Sequence, residues 1–387
     1  MQHLPAPFEI FRSMTETVFE TMSLLARAHD AINLGQGFPD HGEPEALLRI
    51  AAEKLLHGSN QYPPMRGLPE LRWAVAAHAA RFHGVTLDPD SEVLVTSGAT
   101  EALADTLLAY LSPGDEIVLF EPLYDAYAPI ARRAGAVPKV VRLEPPSWTL
   151  TANALDAALS EKTRVILFNN PMNPTGKVWS SDEIDLIASR AKARDLLVVA
   201  DEVYEHLVFE GASFKTVLAH PDLRHRAVRI GSAGKSFSLT GWKVGYAQAD
   251  AAILEPIVRC HQFITFTTPP NLQQAVAVGL QLDDRYFAEL RTRMQRKRDT
   301  FRAGLRRVGF EPLEAQGAYF VCARFDQVRK DLSDLEFCRW ITTEARVAAI
   351  PVSAFYDERP RTDLIRFCVC KKDEVLDEAL TRLTRFV

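Results

Sequence analysis

The chain has 387 residues, 47% apolar and 25% charged, a globular composition with room for two or three domains at ~150 residues each. A net charge of −5 removes the electrostatic basis for holding nucleic acid or an anionic membrane surface, and no apolar run approaches the ~18 residues of a membrane span. Residues 1–9 show no basic and apolar signal pattern, and the five cysteines form no C-x-x-C pair, so a soluble cytoplasmic protein without disulfides or a bound metal is expected.

Short apolar runs rich in Val, Ile and Leu predict strands at Glu92–Thr96, Glu116–Phe120, Val137–Arg142, Arg164–Phe168, Leu196–Ala200, Ala227–Gly231 and Val244–Gln248. Their weak polar alternation is that of strands covered on both faces. Between the fourth and fifth, Ser180 and Glu183 form a capping box ahead of a helix with Ile184, Ile187, Ala188 and Ala191 on one face. Such alternation predicts an α/β domain with a mostly parallel sheet. From about residue 281 a charged helical stretch (Arg285–Arg307), strand-like Ala318–Phe325 and Leu364–Val369, and a terminal helix burying Val375, Leu376, Ala379, Leu380 and Leu383 predict a smaller α+β domain. The expected division is residues 45–280 against residues 1–44 plus 281–387. Cys368 and Cys370 fall on one strand face, as buried thiols.

Open α/β sheets bind ligands beyond the carboxyl ends of their strands, and four strand ends here carry polar residues. Ser97-Gly98-Ala99-Thr100 opens a helix and reads either as an N-cap or as a phosphate cradle. Asn169-Asn170-Pro171-Met172-Asn173-Pro174-Thr175-Gly176 fixes the backbone around Asn173, whose amide suits a phenolate oxygen and a carboxylate together, or a polar turn. Asp201-Glu202-Val203-Tyr204 offers a carboxylate for a protonated ring nitrogen and a hydroxyl for a ring oxygen, or a strand cap. Ser232-Ala233-Gly234-Lys235-Ser236 has the Gly-Lys-Ser of a P-loop, but the glycine such a loop requires at position 229 is Arg229. It also contains S-x-x-K, without the S-D-N and K-T-G partners of the acylases that use it. A solvated lysine does not explain a Gly/Ser loop at the end of an apolar strand.

In this order, and with Asn33–Asp40, Asn60-Gln61-Tyr62 and Ile365-Arg366-Phe367-Cys368, these motifs resemble fold-type I pyridoxal-5′-phosphate (PLP) enzymes, specifically class I aminotransferases. Phe19–Asp40 and Ala349-Ile350-Pro351-Val352-Ser353 resemble the kynurenine/glutamine transaminase group, and most closely bacterial methionine aminotransferases. The resemblance implies a homodimer with shared active sites, acting on an amino acid and a 2-oxo acid.

Carried over, the resemblance makes Lys235 the Schiff-base lysine and proton carrier, with Asp201 on the pyridine nitrogen and Asn173 and Tyr204 on the ring oxygen. Ala99, Thr100, Ser232 and Lys243 would hold the phosphate, joined by Tyr62 from the other subunit, with Tyr124 stacked on the ring. Arg366 would clamp the substrate carboxylate with Asn173 and the Gly37 backbone. Without the family, a strand-edge ion pair is the alternative reading of Arg366. The side-chain pocket would be Phe19, Leu34, Phe38, Tyr62, Tyr124 and Phe266. Being apolar, it favours methionine, phenylalanine, leucine or glutamine over aspartate. Alternatives are a kynurenine/glutamine transaminase with β-lyase activity on cysteine conjugates, and a PLP-binding regulator, whose DNA-binding module has no space ahead of a match starting near residue 15.

Overall fold

The computed structural model describes residues 8, 10, 12, 14, 16–40 and 42–386. Its strands are β1 (Ile32–Asn33), β2 (Val93–Ser97), β3 (Glu116–Glu121), β4 (Val137–Arg142), β5 (Thr163–Asn169), β6 (Leu197–Asp201), β7 (Ala227–Ser232), β8 (Val244–Ala249), β9 (Glu311–Pro312), β10 (Phe320–Arg324), β11 (Val347–Ala348), β12 (Ile350–Pro351) and β13 (Leu364–Cys368). Seven form one sheet in the order β2-β8-β7-β6-β5-β3-β4. Strands β7, β6, β5, β3 and β4 run parallel, whereas β8 is antiparallel to both of its neighbours. The all-apolar runs are explained by position: β3 and β6 are buried along their whole length, while β4, at the sheet edge, is largely half-buried or exposed.

Two apolar cores flank this sheet, one containing Val95, Val118, Ile166 and Val198, the other Leu94, Ile117, Val165 and Val199. The alternation in each strand thus feeds both faces. The Ser180–Glu183 capping box forms at the helix Ser181–Arg194. Glu183 also takes Lys177 Nζ at 2.7 Å and the Leu150 N–H at 2.7 Å, pinning the chain that leaves the Asn173 loop.

A third core surrounds the four-stranded antiparallel sheet β12-β13-β10-β9, with the helices Asp284–Arg307 and Asp373–Phe386 packed on it. The terminal helix buries Leu376, Ala379, Leu380 and Leu383, with Val375 only half-buried at its margin. Arg366 sits within β13, paired in register with Cys322 on one side and Ile350 on the other. Among the described residues, no helix is long and apolar enough to cross a membrane.

Candidate active site

The carboxyl ends of β2, β5, β6 and β7 open on one cleft of about 390 Å³. Ala99, Thr100, Asn173, Asp201, Tyr204, Ser232, Lys235 and Lys243 line it from the large sheet, and Phe320 and Arg366 from the small one. Register explains the convergence: Asn169 pairs with Asp201, Ser97 with Val244, and Ser232 with Gly245. Because β8 runs against its neighbours, its first residues reach this edge, which brings Lys243 to the turn after β2.

Asp201 is buried, and its Oδ2 accepts a 2.6 Å hydrogen bond from the Tyr127 hydroxyl. Its backbone carbonyl accepts from Asn169 Nδ2 at 2.7 Å, tying the ends of β5 and β6 together. Burial pushes the carboxyl up to about 6, opposed by the Tyr127 bond, the Val203 N–H and the charge of Lys235.

Lys235 lies in the single turn Ala233–Ser236 after β7. Its Nζ is 3.0 Å from the Tyr319 hydroxyl, which itself donates to the Gly37 carbonyl at 2.8 Å. Burial lowers the amine's pKa from its ordinary value, favouring the neutral form that a nucleophile and base requires. The Tyr204 ring lies 5.6 Å from the same nitrogen.

Arg366 is 1% exposed. Nη1 donates to Asn173 Oδ1 at 2.8 Å and Nη2 to the Gly35 carbonyl at 2.6 Å. Its guanidinium lies 4.2 Å from the Phe320 ring, 5.0 Å from Phe355 and 5.3 Å from Phe19. No hydrogen-bond partner among the described residues meets Nε. A planar fork fixed in this way matches a carboxylate.

At the helix Gly98–Tyr110, Gly98 has φ +77°, and a Cβ there would stand 3.1 Å from Lys243 Nζ. A Cβ on Gly245 would fall 2.5 Å from Gly98 C and 2.6 Å from Ala99 N. Only glycine lets β8 approach this turn, whose free N–H groups and neighbouring ammonium form an anion cradle. Glu101 secures it by accepting from the Ser97 N–H and meeting His261 Nδ1 at 2.9 Å.

Residues 29–383 match the family described as aminotransferase class I and II. The chain belongs to this family. It is 41% identical over 384 residues to a probable N-succinyldiaminopimelate aminotransferase of Mycobacterium tuberculosis, covering 96% of each chain. To the methionine aminotransferase of Escherichia coli it is 40% identical over 367 residues, covering 95% of each, and to mouse kynurenine–oxoglutarate transaminase 3 it is 34% identical, covering 95% of this chain and 87% of the other. A solved N-succinyldiaminopimelate aminotransferase from M. tuberculosis superimposes with a TM-score of 0.96 at 41% identity, over 99% of this chain and 100% of that one. The protein is a transaminase with the PLP fold-type I architecture, from a family that uses PLP with amino acids and 2-oxo acids.

In this aminotransferase Phe19, Gly37, Phe38 and Tyr124 also line the cleft, and burial pushes the Tyr124 hydroxyl up to about 12. Three residues expected in the side-chain pocket do not line it. Leu34 is wholly buried in the core of the small sheet, its carbonyl accepting from the Cys368 N–H at 2.7 Å. Tyr62 and Phe266 stand at the surface, 84% and 39% exposed, edge to face at 5.7 Å. Within one chain Phe19, Phe38, Tyr124 and Phe320 are among the aromatic residues of the cleft wall. Sequence reasoning missed Tyr127, Tyr319 and Phe320. A Tyr three residues beyond Tyr124 and an aromatic pair entering β10 carry no pattern that separates cleft from core.

Proposed function

We propose that this chain is a PLP-dependent aminotransferase whose preferred donor is an uncharged, largely apolar L-amino acid, methionine foremost, with 2-oxo acids as acceptors. The reading is carried by the cleft wall: its described cations are Lys235, Lys243 and Arg366, and Phe19, Phe38, Tyr124 and Phe320 give it aromatic faces. Lys235, Lys243 and Arg366 each have a role at the cofactor or the α-carboxylate, which leaves no second clamp for a dicarboxylate. Asp125, also on the wall, adds an acidic group there and no cation.

The donor set fits PLP. The Gly98 cradle with Thr100, Ser232 and Lys243 would hold its phosphate, Asp201 its ring nitrogen, Asn173 and Tyr204 its ring oxygen, and Lys235 its aldehyde carbon, with Tyr124 against the ring. The cofactor supplies an electron sink for the carbanion at the substrate Cα. Arg366 binds the substrate carboxylate, and Asn173, bonded to it, orients the same group. Asp201 holds the proton at the ring nitrogen, and Lys235 Nζ moves the proton away from Cα and returns it. Phe19, Phe38 and Phe320 exclude water around that transfer. The cleft would lie between a large domain of residues 45–280 and a small one of residues 1–44 plus 281–387. The exposed Tyr62–Phe266 pair would complete a partner's site in a cytoplasmic homodimer.

The 41% identity to the mycobacterial enzyme supports N-succinyldiaminopimelate as a competing donor, and the kynurenine transaminase likeness supports kynurenine, glutamine and β-elimination on cysteine conjugates. A panel of kcat/KM values over methionine, phenylalanine, glutamine, kynurenine, N-succinyldiaminopimelate and aspartate decides. Methionine should exceed aspartate by at least about tenfold, within the range an apolar pocket can discriminate. Aspartate or N-succinyldiaminopimelate in first place would reject the assignment.

A further inference from the structure

Cys368 ends β13, two residues after Arg366, and its Sγ lies 3.0 Å from Cys370 Sγ. Both thiols are fully buried. The same short segment is hydrogen-bonded to residues in and beside the cleft. The Cys368 N–H donates to the Leu34 carbonyl at 2.7 Å, the Val369 N–H to the Tyr319 carbonyl at 2.9 Å, and Lys371 Nζ to the Phe38 carbonyl at 2.8 Å. Neither sulfur has a part in the transamination argued above.

We propose that Cys368 and Cys370 form an oxidisable dithiol, which a hydroperoxide converts to an intramolecular disulfide that reversibly slows the enzyme. The sulfurs must approach by about one ångström to reach S–S bonding distance, and the segment between them cannot close without drawing on its bonds to Leu34, Tyr319 and Phe38. In the first step one thiolate attacks a peroxide oxygen; the O–O bond breaks, and water (or an alcohol) leaves with a proton, giving a sulfenic acid. The second sulfur then displaces the hydroxyl as water. The two sulfurs together lose two electrons, the peroxide gains them, and the two thiol protons end in the products. Charge favours one thiolate in the pair: burial opposes ionisation of Cys368, but the Cys370 thiol and the Lys371 and Arg366 cations outweigh it and bring Cys368 to about 7.

The test treats the PLP-loaded enzyme with hydrogen peroxide, maps the cysteines by peptide mass spectrometry, and assays turnover before and after dithiothreitol. The peptide carrying residues 368 and 370 should lose two hydrogens, and kcat should fall on the order of tenfold to a hundredfold, as when groups near the chemistry are displaced by an ångström. Dithiothreitol should restore it. Cys370→Ser and Cys370→Ala should both keep basal activity and escape the reversible loss; either one that folds suffices. Unpaired Cys368 and Cys370 at a peroxide dose that oxidises half-buried Cys260 would overturn the proposal. So would a 368–370 disulfide that leaves kcat unchanged, or a Cys370 variant that loses activity as the parent does.

Discussion

The hydroxyl of Tyr127 donates to Oδ2 of Asp201 at 2.6 Å, so a tyrosine at the start of one helix sets the state of the carboxylate ending β6. The bond stabilises the charged form against the burial that pushes Asp201 up to about 6. Tyr127→Phe removes it, and the pKa of Asp201 must rise. The acid limb of kcat/KM should move to higher pH by about one unit, the equivalent of a hydrogen bond to a charged group. A pH–rate profile of the variant checks this, and an unmoved limb would show that Tyr127 does not act on Asp201.

Arg366→Lys keeps the charge and loses the fork that now engages Asn173 and Gly35. We expect kcat/KM for methionine to drop by on the order of a hundredfold, with most of the loss in KM. Steady-state kinetics of the variant against the parent measures it. An unchanged KM would remove Arg366 from carboxylate binding.

Gly245→Ala puts a methyl group against the backbone of Gly98 and Ala99, whereas a Cβ on Gly241, four residues earlier, meets nothing within 4 Å. The first substitution should weaken PLP binding by at least about tenfold by displacing the cradle, and the second should not. Titration of the apo-proteins with PLP, followed by absorbance, distinguishes them. Equal affinities would place the phosphate elsewhere.

His78 and His206 face each other with their Nε2 atoms 2.7 Å apart, and burial holds them at about 4 and about 3. Both sit below the unfolded value near 6.5, so the unfolded chain binds more protons as pH falls. Stability should therefore decline from pH 6.5 towards 4, before general carboxylate protonation. Thermal unfolding across that interval checks the slope, and His206→Asn should flatten it. An unaltered slope would mean that the pair titrates normally.

Tyr62 and Phe266 are exposed on the chain that carries them and do not line its own cleft. If Tyr62 serves a partner's site, mixing Tyr62→Ala subunits with Lys235→Ala subunits should restore activity that neither has alone, because one site in each mixed dimer is intact. Subunit exchange followed by a transamination assay measures this. No recovery, with mixed dimers demonstrated, would leave each site within one chain.

Much of this arrangement was legible in the sequence because its causes are local. The strands from Glu116, Val137, Ala227 and Val244 begin where expected, and β2, β5 and β6 differ from expectation by one residue at each end. Asp201, Asn173 and Lys235 stood out because they sit at or just beyond the carboxyl ends of buried strands, where open α/β sheets bind ligands. The antiparallel course of β8 was not legible, since a strand covered on both faces reads alike in either direction. That reversal is what delivers Lys243 to the Gly98 turn. Tyr127 and Tyr319 were hidden for another reason: their neighbours are apolar, and only the assembled fold turns their hydroxyls toward Asp201 and Lys235.

The central claim, that Lys235 carries the cofactor and the proton, is tested most directly by Lys235→Ala. The purified parent enzyme should show a visible absorbance band of bound PLP that shifts when methionine is added. The variant should lack that band while remaining folded, and its turnover should fall by at least about a thousandfold, as expected for loss of a nucleophile and proton-transfer group. A variant that keeps the parent's spectrum and rate would contradict the account.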